Sequence, residues 1–241
     1  MKLETHIHTR YSKDSLLCFL PLYLKCRLLH ISVVAITEHN NIAGAQKFSD
    51  FCKKHGNRLS VIIGDEIFTS QGEIIGLFLK EEIMPGQTAK ETIRQIKEQG
   101  GIVYVPHPYD LKRSKTVLQE EAIAENCDVI DCIEVHNGRN ISADYSTKQR
   151  AIADKYGINY VIGSDAHTWL EIGRNYMNIR NVPANADEFR DEIKKATFHT
   201  KGCLKLSHQI TKVVKLLKMI AKGNYDEIYR IIVRRIKKDK H

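Results

Sequence analysis

The stretch Glu4-Thr5-His6-Ile7-His8-Thr9-Arg10-Tyr11-Ser12-Lys13-Asp14 decides how the rest of this 241-residue chain is read. Successive side chains of an extended strand point to opposite faces, so the pattern predicts that His6 and His8 look the same way. Two imidazoles on one face can grip one metal ion or a tight pair. Asp14 follows on a short loop, close enough to fold back over them. Taken alone, the pair also reads as an ordinary polar strand face. The sequence further along separates the two readings.

Apolar runs rich in β-branched residues recur, with helix-like stretches between them. Strands are expected near 2–8, 32–37, 60–65, 73–79, 102–105, 129–136 and 160–164, and helices over 16–29, 42–55, 89–98, 117–125 and 142–156. Gly56, Gly100-Gly101 and Gly157 stand where helices should end. Ser12, Asp14 or Ser15 could cap the first helix and Asn40 or Asn41 the second. Such alternation argues an α/β fold with a mainly parallel sheet. The exception is a tight turn at Gln71-Gly72, which predicts a local hairpin.

Four more clusters directly follow apolar runs: Thr37-Glu38-His39, Gly64-Asp65-Glu66, Pro106-His107-Pro108 and Ser164-Asp165-Ala166-His167. Side chains at the C-terminal ends of parallel barrel strands share one mouth. A lone strand-end histidine is usually structural. Here five strand ends deliver His6, His8, Asp14, His39, Glu66, His107, Asp165 and His167, five imidazoles and three carboxylates. That is too many ligands for one closed structural zinc and suits two or three ions with open positions. Imidazoles mixed with carboxylates favour divalent Mn, Fe or Zn over Ca or Mg.

Composition sets the outer bounds. Hydrophobic residues make up 42% and charged residues 27%, ordinary values for a globular protein. No apolar run reaches transmembrane length, and Leu16–Leu24, the best candidate, is broken by Pro21. That run also lacks the flanks of a signal peptide. Six cysteines are scattered without a CxxC pair, as expected of reduced thiols in a cytoplasmic protein. The net charge of +8 comes mostly from residues 201–241. This basic segment makes nucleic acid a second candidate partner beside a phosphorylated small molecule. Oligomeric state is not legible.

The motifs H-x-H with a following Asp, T-E-H, G-D-E, P-H-P and S-D-A-H, in this order, resemble the PHP (polymerase and histidinol phosphatase) family. The resemblance covers residues 1–174. It implies a distorted (β/α)7 barrel, a trinuclear metal site at the strand ends and phosphoester hydrolysis. It carries the eight ligands over to the positions named above and suggests Glu73 as a further ligand, where many members have histidine. Two positions depart in arm length: Glu4 precedes H-x-H, and Glu38 replaces the family's aspartate. Glu38, Glu134 and Asn137 are expected to orient ligands through hydrogen bonds, and His136 is a weaker candidate for substrate contact.

Residues 175–241 are expected to form a basic C-terminal extension, mostly helical, packed on the barrel. One strand near 175–180 leads to a helix around 187–196. Amphipathic stretches follow at 208–221 and 225–237. The chemistry expected is hydrolysis of a phosphomonoester, such as histidinol phosphate or a nucleotide, through a metal-bridged hydroxide. Arg10 and Arg174 are the candidates for the substrate phosphate. A nuclease and a catalytically silent metal-binding module are the alternatives.

Overall fold

Strand β1 (Lys2–Ile7) is the seam of a closed barrel: it pairs in parallel with β2 (Ile31–His39) on one side and β7 (Asn159–Ala166) on the other. The computed structural model describes residues 1–110, 113, 116–226 and 230. Between those strands the sheet runs through β3 (Ser60–Thr69), β4 (Gly72–Leu77), β5 (Ile102–Val105) and β6 (Cys132–Asn137). Helices α1 (Phe19–Leu28), α2 (Ala43–Lys54), α3 (Ala89–Glu98), α4 (Glu120–Glu125) and α5 (Ala143–Tyr156) connect them. The result is a seven-stranded α/β barrel.

The distortion has one clear source. β3 and β4 form an antiparallel hairpin, and β4 is antiparallel to β5 as well. The Gln71-Gly72 turn leaves no room for a crossover helix, so β4 runs against its neighbours. Gly72 sits at φ 126°, and a Cβ there would lie 2.4 Å from the Val117 carbonyl oxygen. Because β4 is reversed, its first residues lie beside the last residues of β3. Glu73 pairs with Phe68 and so reaches the mouth from the start of a strand.

The barrel wall is apolar. Leu3, Val33, Ala35, Ile75, Leu77, Val103 and Ile133 are fully buried in one cluster. Ile7, Leu22, Ile36 and Phe48 form a second beneath α1 and α2. Each Val, Leu, Ile or Phe side chain among them contributes about 1.5–3 kcal/mol on burial.

Two helix starts differ from expectation. α1 begins only at Phe19, after an extended Cys18 that makes no side-chain cap. Pro21 explains the delay, because in the first turn its missing N–H costs nothing. α2 starts after Ile42 rather than after an asparagine cap. Asn40 takes a left-handed conformation instead, and its Oδ1 accepts a hydrogen bond from the Phe68 amide at 2.7 Å.

After Arg174 the chain returns to the sheet. β8 (Tyr176–Asn178) pairs antiparallel with the start of β1, and β9 (Thr197–His199) pairs with β8 across α6 (Ala186–Ile193). β9 has no counterpart in the sequence reading, where three residues of mixed polarity carry no period. Helix α7 (Lys205–Ala221) follows. Of the second amphipathic stretch, only Tyr225, Asp226 and Arg230 fall within the described residues. No helix among the described residues is long and apolar enough to cross a membrane.

Candidate metal centre

The H-x-H pair does not sit in a regular pleat. The register of β1 slips against both neighbours between Glu4 or Thr5 and Ile7, and His6, inside this bulge, has φ 62°. A bulge re-aims a side chain that strand alternation would place elsewhere. His6 and His8 still meet, with ring centroids 5.2 Å apart. His107 and Asp165 are also left-handed, at φ 30° and 48°. Such conformations cost on the order of 1–3 kcal/mol each and gather at functional sites.

Glu66 stands at the centre. Its Oε1 lies 3.2 Å from His6 Nε2 and 3.0 Å from His107 Nε2. Its Oε2 lies 2.9 Å from His39 Nδ1 and 3.4 Å from His8 Nε2. Asp165 Oδ1 is 3.7 Å from His6 Nε2 and 3.5 Å from His8 Nε2. Asp14 folds back over the cluster, with Oδ1 3.3 Å from His167 Nε2 and 3.5 Å from His39 Nε2. Glu73 Oε2 is 3.5 Å from His107 Nε2. The structure therefore brings together all nine residues singled out as ligands. Among the described residues, four overlapping sets, none including Asp14, have donor atoms within 4.8 Å of one another: His8/His39/His167, His6/Glu66/His107, His6/His8/Asp165 and His39/Glu66/Glu73.

The surrounding hydrogen bonds fix which imidazole atom faces inward. Glu134 Oε1 lies 3.0 Å from His6 Nδ1 and accepts from the Tyr104 hydroxyl at 2.6 Å. Its Oε2 accepts from the His107 amide and from Asn137 Nδ2. Asn137 also reaches Asp165, at 3.3 Å. Glu38 makes its side-chain hydrogen bonds outside the cluster. It accepts from the Thr9 amide and hydroxyl and from Ser12 Oγ, and Ser12 Oγ in turn lies 3.2 Å from His8 Nδ1. Two glycines make room for these acids. A Cβ on Gly163 would come within 1.6 Å of Glu134 Oε1, and one on Gly44 within 2.3 Å of Glu38 Oε1.

The two expected phosphate arginines have other partners. The Arg10 guanidinium is exposed over the rings of Tyr11 and Phe19, and Arg174 donates to the Gly202 carbonyl at 2.8 Å. Neither makes a hydrogen bond or ion pair with the cluster. Arg113, missed in the sequence, pairs with both Asp165 and Asp110. It lies between β5 and α4, where the sequence has no periodicity and offers no directional signal. His136 has one ring nitrogen 2.9 Å from Ser146 Oγ and the other 3.2 Å from Asn175 Oδ1.

Electrostatics divides the two leading histidines. Burial pulls the His6 imidazole down, but the carboxylates of Asp165, Glu66 and Glu134 outweigh it and hold it well above its usual range. Burial and the neighbouring His167 and His39 push His8 well below. Burial, with Glu66 close by, lifts Glu73 to about 7. Burial likewise pulls His39 down, but Glu66 and Asp14 outweigh it and hold it well above its usual range, and a divalent cation would take over the balancing of these buried carboxylates. Nε2 of His6 and of His8 and Asp165 Oδ1 are buried without a hydrogen-bond partner among the described residues. Orphaned polar atoms are costly unless something binds them. The donor set and its orphans fit metal ions.

The family model of the PHP domain matches residues 4–238. Two uncharacterized proteins of Methanocaldococcus jannaschii are similar in sequence. One is 34% identical over 185 residues, 76% of this chain and 72% of the relative. The other is 44% identical over 119 residues, 45% of this chain and 68% of the relative. In fold, the chain resembles a two-domain protein of Bacteroides vulgatus containing a predicted PHP-like metal-dependent phosphoesterase, at TM-score 0.64 and 17% identity. That match covers 83% of this chain and spans 64% of the larger protein. It also resembles PsfC of Pseudomonas syringae, at TM-score 0.63 and 13% identity, covering 91% of this chain and 98% of that one.

Proposed function

This chain belongs to the PHP domain family, and from that premise we propose that it hydrolyses a phosphomonoester of a small molecule with two to three divalent Mn, Fe or Zn ions at the barrel mouth. The observation that carries the reading is the convergence of eight imidazole and carboxylate side chains from several strand ends into one largely buried cluster, with Asp14 beside His39 and His167. His6, His8, Asp14, His39, Glu66, Glu73, His107, Asp165 and His167 would hold the ions. Bound metal supplies a water of lowered pKa and counter-charge for phosphoryl oxygens.

The protein's own groups prepare that site. Glu134 holds a proton on His6 Nδ1, which leaves the Nε2 lone pair facing the cluster. Ser12, donating to Glu38, accepts from His8 Nδ1 and does the same for that ring. Arg113 carries five donors and its charge at the same mouth, so it takes precedence over Arg10 and Arg174 as the group that meets the phosphoryl oxygens. His39 and Asp14 are the partly exposed members, 15% and 16% accessible, and mark the side from which substrate enters.

Elemental analysis of the purified chain, with p-nitrophenyl phosphate turnover before and after chelation, tests this. Two to three first-row ions per chain, with turnover lost on chelation and regained with Mn or Zn, is the expected result. A chain that holds its metals but is inert on every phosphomonoester defeats the catalytic reading. One that takes up no metal defeats the ligand assignment.

A further inference from the structure

Eight of the nine clustered side chains belong to strands or to the first residues after them. Asp14 is the exception, carried by the loop between β1 and α1. Holding a ligand on a loop to within a fraction of an ångström takes outside support. Part of it comes from the barrel: Ser15 Oγ donates to the carbonyls of His8 and His167, at 2.8 and 2.9 Å, and Thr9 and Ser12 donate to Glu38. A further anchor comes from more than 200 residues away.

Lys218, on α7, extends its ammonium to three carbonyl oxygens of this loop: Arg10 at 2.9 Å, Ser12 at 2.7 Å and Ser15 at 2.6 Å. An ammonium has three donors, so all are used. Among the described residues no carboxylate is bonded to it. The contacts bracket Asp14, two before it in the chain and one after. A surface lysine ordinarily stays in water, where its stem is free and its charge solvated. Lys218 is half-buried and gives up that freedom for a set of acceptors that only this loop path provides.

The same helix is fastened at two other mouth loops. Ser207 Oγ lies 3.2 Å from Thr168 Oγ1, whose hydroxyl and amide both donate to Glu171, as does the amide of His167. Arg139, just past β6, donates to Thr211 at 2.9 Å. α7 thus spans the loops after β1, β6 and β7, on the side of the barrel that bears the metal cluster.

We infer that Lys218 is a positioning residue for Asp14, so that helix α7 completes the metal site without contributing a ligand. The inference rests on the proposed reading of Asp14 as a ligand. Loss of the three bonds would let the loop swing and withdraw Asp14, with the 10–100-fold fall in metal affinity, roughly, that follows removal of an orienting partner.

The test uses the 241-residue chain and its variants D14N, K218M, K218M/D14N and K212M, the last altering an exposed lysine of the same helix. Each is equilibrated with Zn or Mn at fixed free concentration. Metal per chain is then measured, together with amide hydrogen exchange over residues 10–17. K218M and D14N are expected to lose the same fraction of metal, with the double variant no worse than D14N. Exchange at Arg10, Ser12 and Leu17 should quicken at least tenfold, on the order of a lost loop anchor, in K218M and stay slow in K212M. Should K218M fail to fold, K218Q, which keeps most of the stem and two donors, replaces it under the same criteria. If D14N loses metal while K218M keeps its full complement, the role of Lys218 is overturned. If D14N itself keeps full metal, the ligand reading of Asp14 falls first and takes the inference with it.

Discussion

The barrel mouth and helix α7 invert the usual pattern of protein burial. At the mouth, charged and polar side chains are almost completely buried: His6, His8, Glu38, Glu66, His107, Glu134 and Asp165 each expose 1% or less. On α7, Leu206, Val213, Leu216, Leu217 and Ile220 are 44–61% exposed, and only Ser207, Val214 and Met219 are buried. The helix is held to the barrel by hydrogen bonds as much as by apolar contact. Burying charge costs free energy and exposing leucine forgoes it, so neither region is arranged for stability alone. The mouth is explained by the ions it would hold. α7 is explained in part by where it reaches.

The sharpest way to break this contrast is at Glu66, which touches four histidines. Glu66→Gln keeps the shape and removes the charge on which all four imidazoles converge. Metal content should fall by at least one ion per chain, and phosphatase turnover should drop to the level left after chelation. Unchanged metal content would mean that the buried acids serve the fold. Gly163→Ala comes next. The added methyl must displace Glu134, and overpacking of this kind costs about 1–3 kcal/mol or more in denaturant unfolding. A neutral result would show that Glu134 has room to move.

Tyr104→Phe removes one bond to a buried carboxylate at 2.6 Å. A loss of about 1.5–3 kcal/mol is expected for a hydrogen bond to a charged group, with His6 still supported by Glu134. The smallest effect belongs to α7. Leu217→Gln, on its exposed face, should change unfolding free energy by no more than about 0.5 kcal/mol. A much larger change would show that this face is covered in solution, and the contrast with the mouth would then weaken.

The sequence was most informative where chemistry coincides with strand order. Histidines and acids directly after β-branched runs located the cluster, because a strand end is set by local pattern. Glycine punctuation worked for the same reason: Gly157 is the left-handed cap of α5. What stayed hidden depends on the path of the backbone. No local pattern announces that His6, His107 and Asp165 leave the regular strand conformation. Arg113 was invisible because the aperiodic sequence between β5 and α4 gives its side chain no direction. Glu73 was found only through the family likeness, since an acid at the start of a strand reaches the mouth only when that strand is reversed. Lys218 looked like one of several lysines on an amphipathic helix, and only its three carbonyl partners set it apart.

The closure of the barrel through β1 has a consequence for how copies of this chain behave towards one another. A sheet left open offers unpaired amides and carbonyls along its rim, a template for intermolecular strand pairing. Here each of the seven barrel strands is flanked on both sides, and the ribbon of β8 and β9 carries the sheet outward. Among the described strands the one open rim is β9, three residues long. That is too short to nucleate a cross-β stack, so the sheet offers crowded copies of the folded chain no template for pairing strand to strand.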